Sequence, residues 1–405
     1  MPANSAATTL ELHGCTVTLC RTDGPLASEL FFSCRPGPEF KSAAQQSDAA
    51  YRAILGVLES EGGEFDAVVT ETLFLRSARE DIDAVREARV SALELQASDL
   101  NRPAMTVIQQ TPLRGSNGLE ILIQAIIPQS TSLDIEVVAA QTGCNCAECD
   151  RSHGLLVKLG DETRLYAGGL YGAGETAYEQ TGDMFRVAED LLNQANMTFT
   201  DVARTWLYLP EMERDYPDLN RARREFCADH GVQPSPASTG IGAGLVPSEH
   251  VISLGFYAVR SDPAPGRAVM TTPTLNEAPE YGSDFSRGMR VEEANKVSLL
   301  VSGTASIDET GATVHLDDFE AQADRMLVNV AALLEGQGAS FGDVVSAITY
   351  LKHPEDAARL RQKFREAGYQ GFPNVLVEAP VCRPELLCET EALAVLPRSP
   401  QTQAP

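Results

Sequence analysis

The sequence of 405 residues predicts an α+β protein made of three copies of one structural unit. Three observations predict this class. A β-rich segment ending in an aromatic residue and Leu occurs three times, an amphipathic helix precedes each copy, and an apolar closing strand follows it. The spacing of about 130 residues is too long for a solenoid repeat, so we expect three domains, each with helices on one sheet face.

The recurring segment has the alternating apolar pattern of a half-buried strand. Its copies read FDAVVTETLFL at 65–75, FTDVARTWLYL at 199–209 and FGDVVSAITYL at 341–351. Amphipathic helices are predicted before them at 51–61, 184–195 and 321–336. In the third helix Met326, Val330 and Leu334 recur at helical spacing, and Gly336 is expected to end it.

Further strands are predicted at both ends of each unit. Upstream strands that run into small residues are predicted at 30–34, 165–169 and 299–306, and closing strands at 120–128, 251–259 and 387–395. Residues 261–280 contain four prolines and are predicted to be a linker, and the polar, cysteine-rich stretch near 140–152 marks another boundary. The Pro/Gln/Ser-rich tail at 398–405 is expected to be disordered.

Composition limits the classes of function. A net charge of −25 repels phosphate backbones, so we expect no nucleic-acid partner. No apolar run approaches the roughly 20 residues that span a bilayer, and the N-terminus has no secretory pattern. We therefore expect a cytoplasmic protein without membrane contact, monomeric or a small homo-oligomer. An anionic substrate would need positive charge concentrated in one pocket.

The nine cysteines include one cluster, formed by Cys144, Cys146 and Cys149 with His153 nearby. Three thiolates and an imidazole are able to complete a tetrahedral metal site. The paired CxxC spacing is absent, however, and all the ligands would come from one short segment. Reduced thiols between domains are the favoured interpretation, so no metal is predicted. The chain has no GxGxxG, P-loop or HExxH motif, and no cofactor is predicted.

Three segments of the third copy carry a family resemblance: VSGTASID at 301–308, the helix and strand at 321–351, and PVCRPELLCETEALAV at 380–395. They resemble the RidA (YjgF) family. The resemblance implies chorismate-mutase-like α+β units that trimerise, with ligand sites between neighbouring units. It therefore implies three RidA-like repeats in a pseudo-trimeric arrangement within one chain.

A narrower resemblance covers 148–396. It rests on RTWLYL at 204–209, DYPDLNRARREF at 215–226, PASTGIG at 236–242, YGSDFSRG at 281–288 and the VCRPELLCE segment, which are similar to motifs of the chorismatases. These are chorismate hydrolases and hydroxybenzoate synthases with two RidA-like domains. The resemblance implies a first chorismatase domain at 148–262 and a catalytic domain at 263–397. The additional unit at 1–147 has no counterpart there, and its role stays open.

Glu389 is the candidate catalytic acid. It lies in an apolar closing strand, where the equivalent positions are predicted to be Ser253 in the second copy and about Leu122 in the first. Burial would raise the pKa of this carboxyl group, as a general acid near neutral pH requires. Alternatively it points to solvent together with Glu391. The resemblance implies that Glu389 protonates the enolpyruvyl methylene of chorismate and thereby releases pyruvate.

Arginine pairs with carboxylates in planar, two-bonded geometry, so the resemblance makes three arginines candidates for binding the two carboxylates of chorismate. They are Arg287, Arg204 and Arg383. Ionic pairing at an acidic surface is the alternative for each. Further substrate-binding candidates are Ser238 and Thr239, which are otherwise a turn, and Tyr208 and Tyr216, of which Tyr208 is equally well explained by core packing.

The resemblance implies a choice of product through Cys382 and Gly288. In the similar enzymes, cysteine at the first position together with glycine at the second accompanies hydroxybenzoate formation, whereas the hydrolases tend to have alanine after FSR. A neutral thiol beside the ring is able to help exclude water and guide aromatisation. The alternative for Cys382 is a buried structural cysteine like Cys388.

The favoured function is a cofactor-independent chorismatase that forms a hydroxybenzoate, preferably 3-hydroxybenzoate. The first alternative is a chorismate hydrolase giving a dihydroxycyclohexadiene carboxylate. A RidA-like imine deaminase is a second, although Asn374 stands where those enzymes are expected to have a substrate-binding arginine. A ligand-binding or scaffold protein without catalysis is a third.

Overall fold

The computed structural model of the chain describes residues 7–93, 103–115, 118–129, 134–144, 152–276 and 284–398. Within these ranges the protein contains six α-helices and three β-sheets, which confirms the α+β class. No helix in the same ranges is long and apolar enough to cross a membrane.

The first unit contains two helices and most of one sheet. Its elements are β1 (Thr8–Leu12), β2 (Cys15–Asp23), β3 (Ala27–Pro36), α1 (Ala43–Ser60), β4 (Val68–Leu75), α2 (Ala78–Leu93), β5 (Ala104–Gln109), β6 (Thr111–Pro112) and β7 (Leu119–Pro128). The helix α1 begins at a capping box, in which the Ser42 hydroxyl group accepts from the backbone of Gln45 and the Gln45 side chain accepts from the backbone of Ser42.

The second unit repeats this order. Its elements are β8 (Asp134–Ala139), β9 (His153–Leu159), β10 (Glu162–Leu170), α3 (Ala177–Gln194), β11 (Val202–Leu209), α4 (Met212–Asp229), β12 (Ala237–Gly242), β13 (Gly244–Leu245) and β14 (Ser253–Ser261). The strand β8 precedes residue 147, the predicted end of the first unit, yet it pairs with β9 in the sheet of the second unit. That sheet has the order β12-β11-β14-β10-β9-β8.

The third unit differs from the prediction at its start. Its elements are β15 (Gly266–Val269), β16 (Gly288–Glu292), β17 (Val297–Ala305), α5 (Phe319–Glu335), β18 (Val344–Leu351), α6 (Ala357–Ala367), β19 (Asn374–Glu378) and β20 (Cys388–Leu396). The predicted linker at 261–280 contains β15, which pairs antiparallel with β16 as an edge strand. Pro263, Pro265 and Pro273 therefore flank a short strand at the edge of a sheet, where they interrupt no ladder.

The three repeated segments begin with a turn rather than with the predicted strand. A single 3₁₀ turn occupies 65–67, 199–201 and 341–343, and β4, β11 and β18 start directly after it. Side chains stabilise two of these turns. The Asp201 carboxylate accepts from the backbone N–H of Thr198, and the Asp343 carboxylate from that of Ser340, both at 2.8 Å.

Each unit exchanges a short segment with another unit. From the second unit, β13 pairs with β5 and extends the sheet of the first, while β6 from the first pairs with β19 of the third. The third unit contacts the second through Pro380, whose carbonyl accepts from Gly242 N–H at 2.9 Å. In each unit the exchanged segment follows the long strand that comes before the closing strand. The first unit thus contacts the third, the third contacts the second, and the second contacts the first.

The sheets separate three helix-facing cores from one shared interior. In β14, Leu254 and Phe256 belong to the core beneath the helices of the second unit. The alternate residues Tyr257 and Val259 belong to a central cluster with side chains from the sheets of all three units. The helices thus lie outside, and the inner sheet faces pack against each other.

A buried ion network joins the three units near this interior. Arg164 of the second unit contacts Glu29 of the first at 2.8 Å, Glu162 at 2.7 Å and Glu293 of the third at 2.9 Å. Lys296 adds a second cation 2.5 Å from Glu29. Removal of one partner would leave uncompensated buried charge, so this network favours one specific arrangement of the units.

Candidate active site

Glu389 faces a gap between the second and third units. In β20, Cys388 and Ala392 pack into the helix-facing core of the third unit, so the alternate residues Glu389 and Glu391 face the opposite way. Glu389 pairs with Tyr350 of β18 and is 4% exposed. The solvent-facing alternative for this residue is therefore wrong.

The gap contains a cavity of about 260 Å³. The end of β17, the β19–β20 loop and β20 form one wall, and α4 and β12 of the second unit form the other. The lining residues are Tyr216, Arg223, Ser238, Thr239, Gly240, Phe285, Arg287, Gly303, Ala305, Ile307, Cys382, Arg383, Leu386 and Glu389. One carboxyl group, one thiol and three guanidinium groups thus share a small interunit space.

Burial raises the pKa of Glu389 to about 8. The negative charge of Glu391 contributes to this raised pKa, and the positive charges of Arg204, Arg287 and Arg383 oppose it. Since desolvation disfavours the carboxylate more than the arginines favour it, the carboxyl group holds its proton at neutral pH. This protonation state is the one that a general acid needs.

Gly303 allows the carboxyl group of Glu389 to occupy this position. A Cβ atom at residue 303 would lie 2.1 Å from Oε1 of Glu389 and 3.0 Å from the Thr239 methyl group. The pairing of β17 with β20 shifts register between Val301 and Thr304, so Gly303 lies in a bulge. The sequence analysis did not identify this residue, although glycine inside a strand signals a bulge or a close approach.

Arg287 and Arg383 are held by neutral oxygen atoms at the edge of the cavity. The Nε of Arg287 donates to the carbonyl of Asn276 at 2.9 Å, and its Nη2 donates to the Asn276 side chain at 3.2 Å. Arg383 Nη1 donates to the carbonyl of Gly311 at 2.8 Å and to the hydroxyl group of Thr313 at 3.2 Å. Both guanidinium groups are thereby oriented beside Glu389.

Arg223 is a third cavity arginine that the sequence analysis missed. It extends from α4, is 5% exposed, and donates to Asn220 at 2.7 Å. Its Nε atom is buried and has no hydrogen-bond partner in the described part of the chain. The residue lies within the DYPDLNRARREF motif at 215–226, but nothing in the sequence distinguishes it there from its arginine neighbours.

Ser238 and Thr239 line the cavity from β12, so the turn considered for them is wrong. The backbone N–H of Ser238 donates to the Ser302 hydroxyl group at 2.9 Å. The Thr239 hydroxyl group accepts from Gly303 N–H at 2.9 Å and from Arg204 Nη2 at 2.5 Å. These bonds connect the two units at the floor of the cavity.

Arg204 does not line the cavity, in contrast to its predicted place. It lies behind Thr239 and donates to Glu391 at 2.9 Å. Glu391 also accepts from Trp206 Nε1 at 2.7 Å and from the Tyr350 hydroxyl group at 3.2 Å. Arg204 therefore supports Thr239 and pairs with the carboxylate beside Glu389, and this geometry gives it a positioning role.

Two more predicted substrate-binding residues lie outside the cavity lining. Tyr208 is buried in the core, as its alternative interpretation stated. A Cβ atom at Gly288 would lie 2.9 Å from the sulfur of Met270, so this glycine accommodates core packing next to Arg287. Tyr216 does line the cavity, and its ring lies close to Gly240, where a Cβ atom would be 3.0 Å from Cε2.

Cys382 is half-buried and lines the same cavity as Glu389. Burial raises the pKa of its thiol to about 12, and the charge of Glu389 adds to this shift. The thiol is therefore neutral at physiological pH, which disfavours nucleophilic or metal chemistry and allows packing and weak hydrogen bonding. Two members of the predicted cysteine cluster at 144–149, Cys146 and Cys149, lie outside the described residues.

The position in the first unit that corresponds to Glu389 is Glu120, so the predicted equivalence with Leu122 is wrong by two residues. Tyr350 pairs with Glu389, and the corresponding Phe74 pairs with Glu120. In the second unit Tyr208 pairs with Ser253, as predicted. Two of the three units therefore have a glutamate at this point of the closing strand.

Comparisons with known proteins agree with this architecture. Residues 276–396 match the family model described as Endoribonuclease L-PSP. A RutC family protein of Pyrococcus abyssi is 33% identical over 120 residues, covering 29% of this chain and 91% of that protein. The chain belongs to the RutC family. The match of the family model covers the third unit from 276 to 396.

Two further relatives extend beyond a single RutC unit. The 3-hydroxybenzoate synthase of Streptomyces hygroscopicus is 25% identical over 228 residues, which cover 49% of this chain and 64% of that protein. A chorismatase crystal structure superposes with a TM-score of 0.59 at 18% identity, covering 81% of this chain and 93% of that one. The resemblance to the chorismatases within the RidA-like superfamily is thus confirmed.

Proposed function

We propose that this chain is a chorismatase that removes pyruvate from chorismate and forms a hydroxybenzoate, preferably 3-hydroxybenzoate. The observation that carries the proposal is the protonated, buried Glu389 in a cavity with three arginines. The similarity to a 3-hydroxybenzoate synthase supports the product, and the similarity to a chorismatase structure supports the substrate. A cavity of about 260 Å³ suits a small dicarboxylate rather than a polymer.

Glu389 acts as general acid in this mechanism. Its proton is transferred to the methylene carbon of the enolpyruvyl ether, which becomes a methyl group and leaves positive charge beside the ether oxygen. The bond between that oxygen and the ring then breaks, and pyruvate departs. The remaining ring hydroxyl oxygen then bridges to the carbon that pyruvate has left, and the bridge opens at the carbon that first held the hydroxyl group. Net loss of one proton makes the ring aromatic as 3-hydroxybenzoate, and Glu389 is able to recover that proton. The overall reaction consumes no water, oxidant or reductant.

The arginines bind the two carboxylates of the substrate. Arg287 and Arg383 flank Glu389, and Arg223 approaches from the second unit with an unpartnered Nε. Charge-assisted bonds of this type orient a planar carboxylate. Ser238 and Thr239 form the floor, and Tyr216 closes one side of the cavity. Arg204 holds Thr239 and Glu391 without touching the substrate.

In this proposal Cys382 determines which ring product forms after pyruvate has left. Its neutral thiol fills space beside Glu389 that a water molecule would otherwise occupy. Water addition to the ring would give the dihydroxycyclohexadiene carboxylate of a hydrolase instead of an aromatic product. The position of the thiol in the cavity favours the synthase.

We also propose that the three units form a pseudo-trimer of RidA-like repeats. The cyclic exchange of β6, β13 and the segment at Pro380 supports it, as does the shared interior. We propose that the boundary between the first two units lies before Asp134 rather than at 147, which the pairing of β8 with β9 supports. In this arrangement the first unit completes the ring and supplies a wall to another interunit space.

The test is incubation of the purified chain with chorismate, with pyruvate measured enzymatically and ring products separated by chromatography. We expect equimolar pyruvate and 3-hydroxybenzoate. Pyruvate with a dihydroxycyclohexadiene carboxylate would retain Glu389 as acid but exclude the synthase. No pyruvate release from chorismate by folded protein would overturn the proposed function.

A further inference from the structure

A second cavity lies between the first and third units. Its volume is about 710 Å³, and it is built from β1, β2, the end of β3, the segment after β6, α6 and the start of β19. These elements correspond to those around the first cavity. Asn374 pairs with Ala347 as Ser238 pairs with Thr205, so both residues occupy the same position of their units.

Four arginines line this second cavity: Arg35, Arg114, Arg361 and Arg365. None of them lies within 4.0 Å of an Asp or Glu oxygen among the described residues, although the chain has 57 acidic residues and a net charge of −25. Arg361 instead donates to the carbonyl of Leu113 at 3.2 Å. Four arginines without a carboxylate in ion-pair contact are unexpected in an acidic protein unless an anion occupies the space.

Two polar atoms lack the partners that burial requires. Asn374 is 3% exposed and lines the cavity, and its Oδ1 accepts from Thr349 at 3.0 Å while its Nδ2 donates to no described group. The Nε of Arg114 is likewise buried without a partner. Buried donors are nearly always satisfied, so these two donors are available to a hydrogen-bond acceptor that enters the cavity.

Glu120 lies outside the lining of this cavity, next to Arg114 and Arg35. It is 1% exposed, does not line the cavity, and interacts electrostatically with Arg114 and Arg35. Its carboxyl group is therefore not placed to reach a ligand, in contrast to Glu389. The geometry of this space suits binding rather than proton transfer.

We propose that the cavity between the first and third units is a binding site for a small anion with two or more carboxylate or phosphate groups. Arg114 and Arg361 hold the ligand from opposite units, Arg365 adds charge at the mouth, and Asn374 donates one neutral hydrogen bond. The site shares no lining residue with the cavity of Glu389, so it is formed without the residues of the reaction proposed above.

Equilibrium dialysis of the full chain at low ionic strength tests this site, with labelled citrate in one arm and labelled pyrophosphate in the other. The decisive variant is Arg361→Gln/Arg365→Gln, which removes two lining charges of α6. Its matched control is Arg79→Gln/Arg86→Gln on α2, where the same charge is removed away from the cavity. We expect at least one probe to bind, and the α6 variant to weaken it roughly tenfold or more, with the control unchanged.

The dialysis results distinguish between ligand chemistries and between the two cavities. Preference for citrate or for pyrophosphate assigns the chemistry of the ligand, and weakening by salt agrees with charge-assisted binding. Since the α6 arginines are partly exposed, the variant is expected to fold, which thermal unfolding followed by circular dichroism verifies. Arg383→Ala shows whether a probe occupies the first cavity instead. Absence of binding by both probes, or equal weakening by the α6 variant and the control, overturns the proposal.

Discussion

Both interunit cavities lie near a glutamate at the same position of a closing strand, but only one of the two glutamates lines its cavity. Glu389 lines its cavity directly, whereas Glu120 lies behind Arg114 and Arg35. The neighbouring strand accounts for the difference. The bulge between Val301 and Thr304 brings a glycine beside Glu389, but β3 pairs with β7 without interruption up to Cys34. Access to a buried carboxyl group thus depends on one irregularity of a strand.

The interface between the first and second units has no glutamate at this position of the closing strand. Ser253 occupies the position of Glu389, and the neighbouring backbone is closely packed, since a Cβ atom at Gly168 would lie 2.6 Å from the Thr106 hydroxyl group. Two interfaces of one chain therefore present a candidate catalytic site and a candidate anion site, and the third has a close approach of Gly168 to Thr106. Divergence of the units allows each interface to specialise, which identical subunits cannot do.

The largest expected effect separates the two glutamates. Glu389→Gln retains size and hydrogen bonding but has no proton to donate, so turnover of chorismate should fall roughly 100- to 10,000-fold while substrate binding is retained. Glu120→Gln should leave turnover within about twofold, because Glu120 does not line the first cavity. Pyruvate release under saturating chorismate measures both. A Glu389→Gln enzyme with near wild-type release would remove the proposed acid.

The next effect concerns the bulge. Gly303→Ala places a methyl group against Oε1 of Glu389 and must displace the carboxyl group. We expect turnover to fall about tenfold or more, with a loss of about 1–3 kcal/mol in the free energy of unfolding from overpacking. Gly182→Ala is the matched control, since its Cβ atom meets nothing within 4 Å. Full activity of Gly303→Ala would show that the close approach has no catalytic importance.

A pH profile gives a smaller effect. With its pKa raised to about 8, Glu389 is protonated below that pH and ionised above it. The value of kcat/KM should therefore be level at neutral pH and decline about tenfold per unit above pH 8, in the direction expected for an essential acid. Circular dichroism across the same range controls for unfolding. A profile that rises with pH would instead indicate a general base.

The sequence was sufficient for the α+β class, because alternating strands and amphipathic helices recur along the described residues. It also identified Glu389, Cys382, Arg287, Arg383, Ser238, Thr239 and Tyr216, all of which line one cavity. It misplaced Arg204 and Gly288 and left Tyr208 open between the site and the core, because the packing of the second unit against the third decides which side chains reach that space. The equivalence of Glu120 depended on strand register, and a shift of two residues leaves the alternating pattern unchanged.

The smallest expected effect distinguishes the thiol of Cys382 from that of Cys388. Cys382→Ala should retain most pyruvate release, since Glu389 keeps its position, but vacated space beside the ring would admit water. The ring product should then shift from 3-hydroxybenzoate toward the dihydroxycyclohexadiene carboxylate. Cys388→Ala serves as control because Cys388 packs into the helix-facing core, where its loss should lower stability and leave the product ratio unchanged. Chromatography of the ring products measures the ratio. An unchanged ratio for Cys382→Ala would remove the thiol from the mechanism and leave the general acid in place, whereas a parallel loss of pyruvate release would mean that Cys382 supports the position of Glu389.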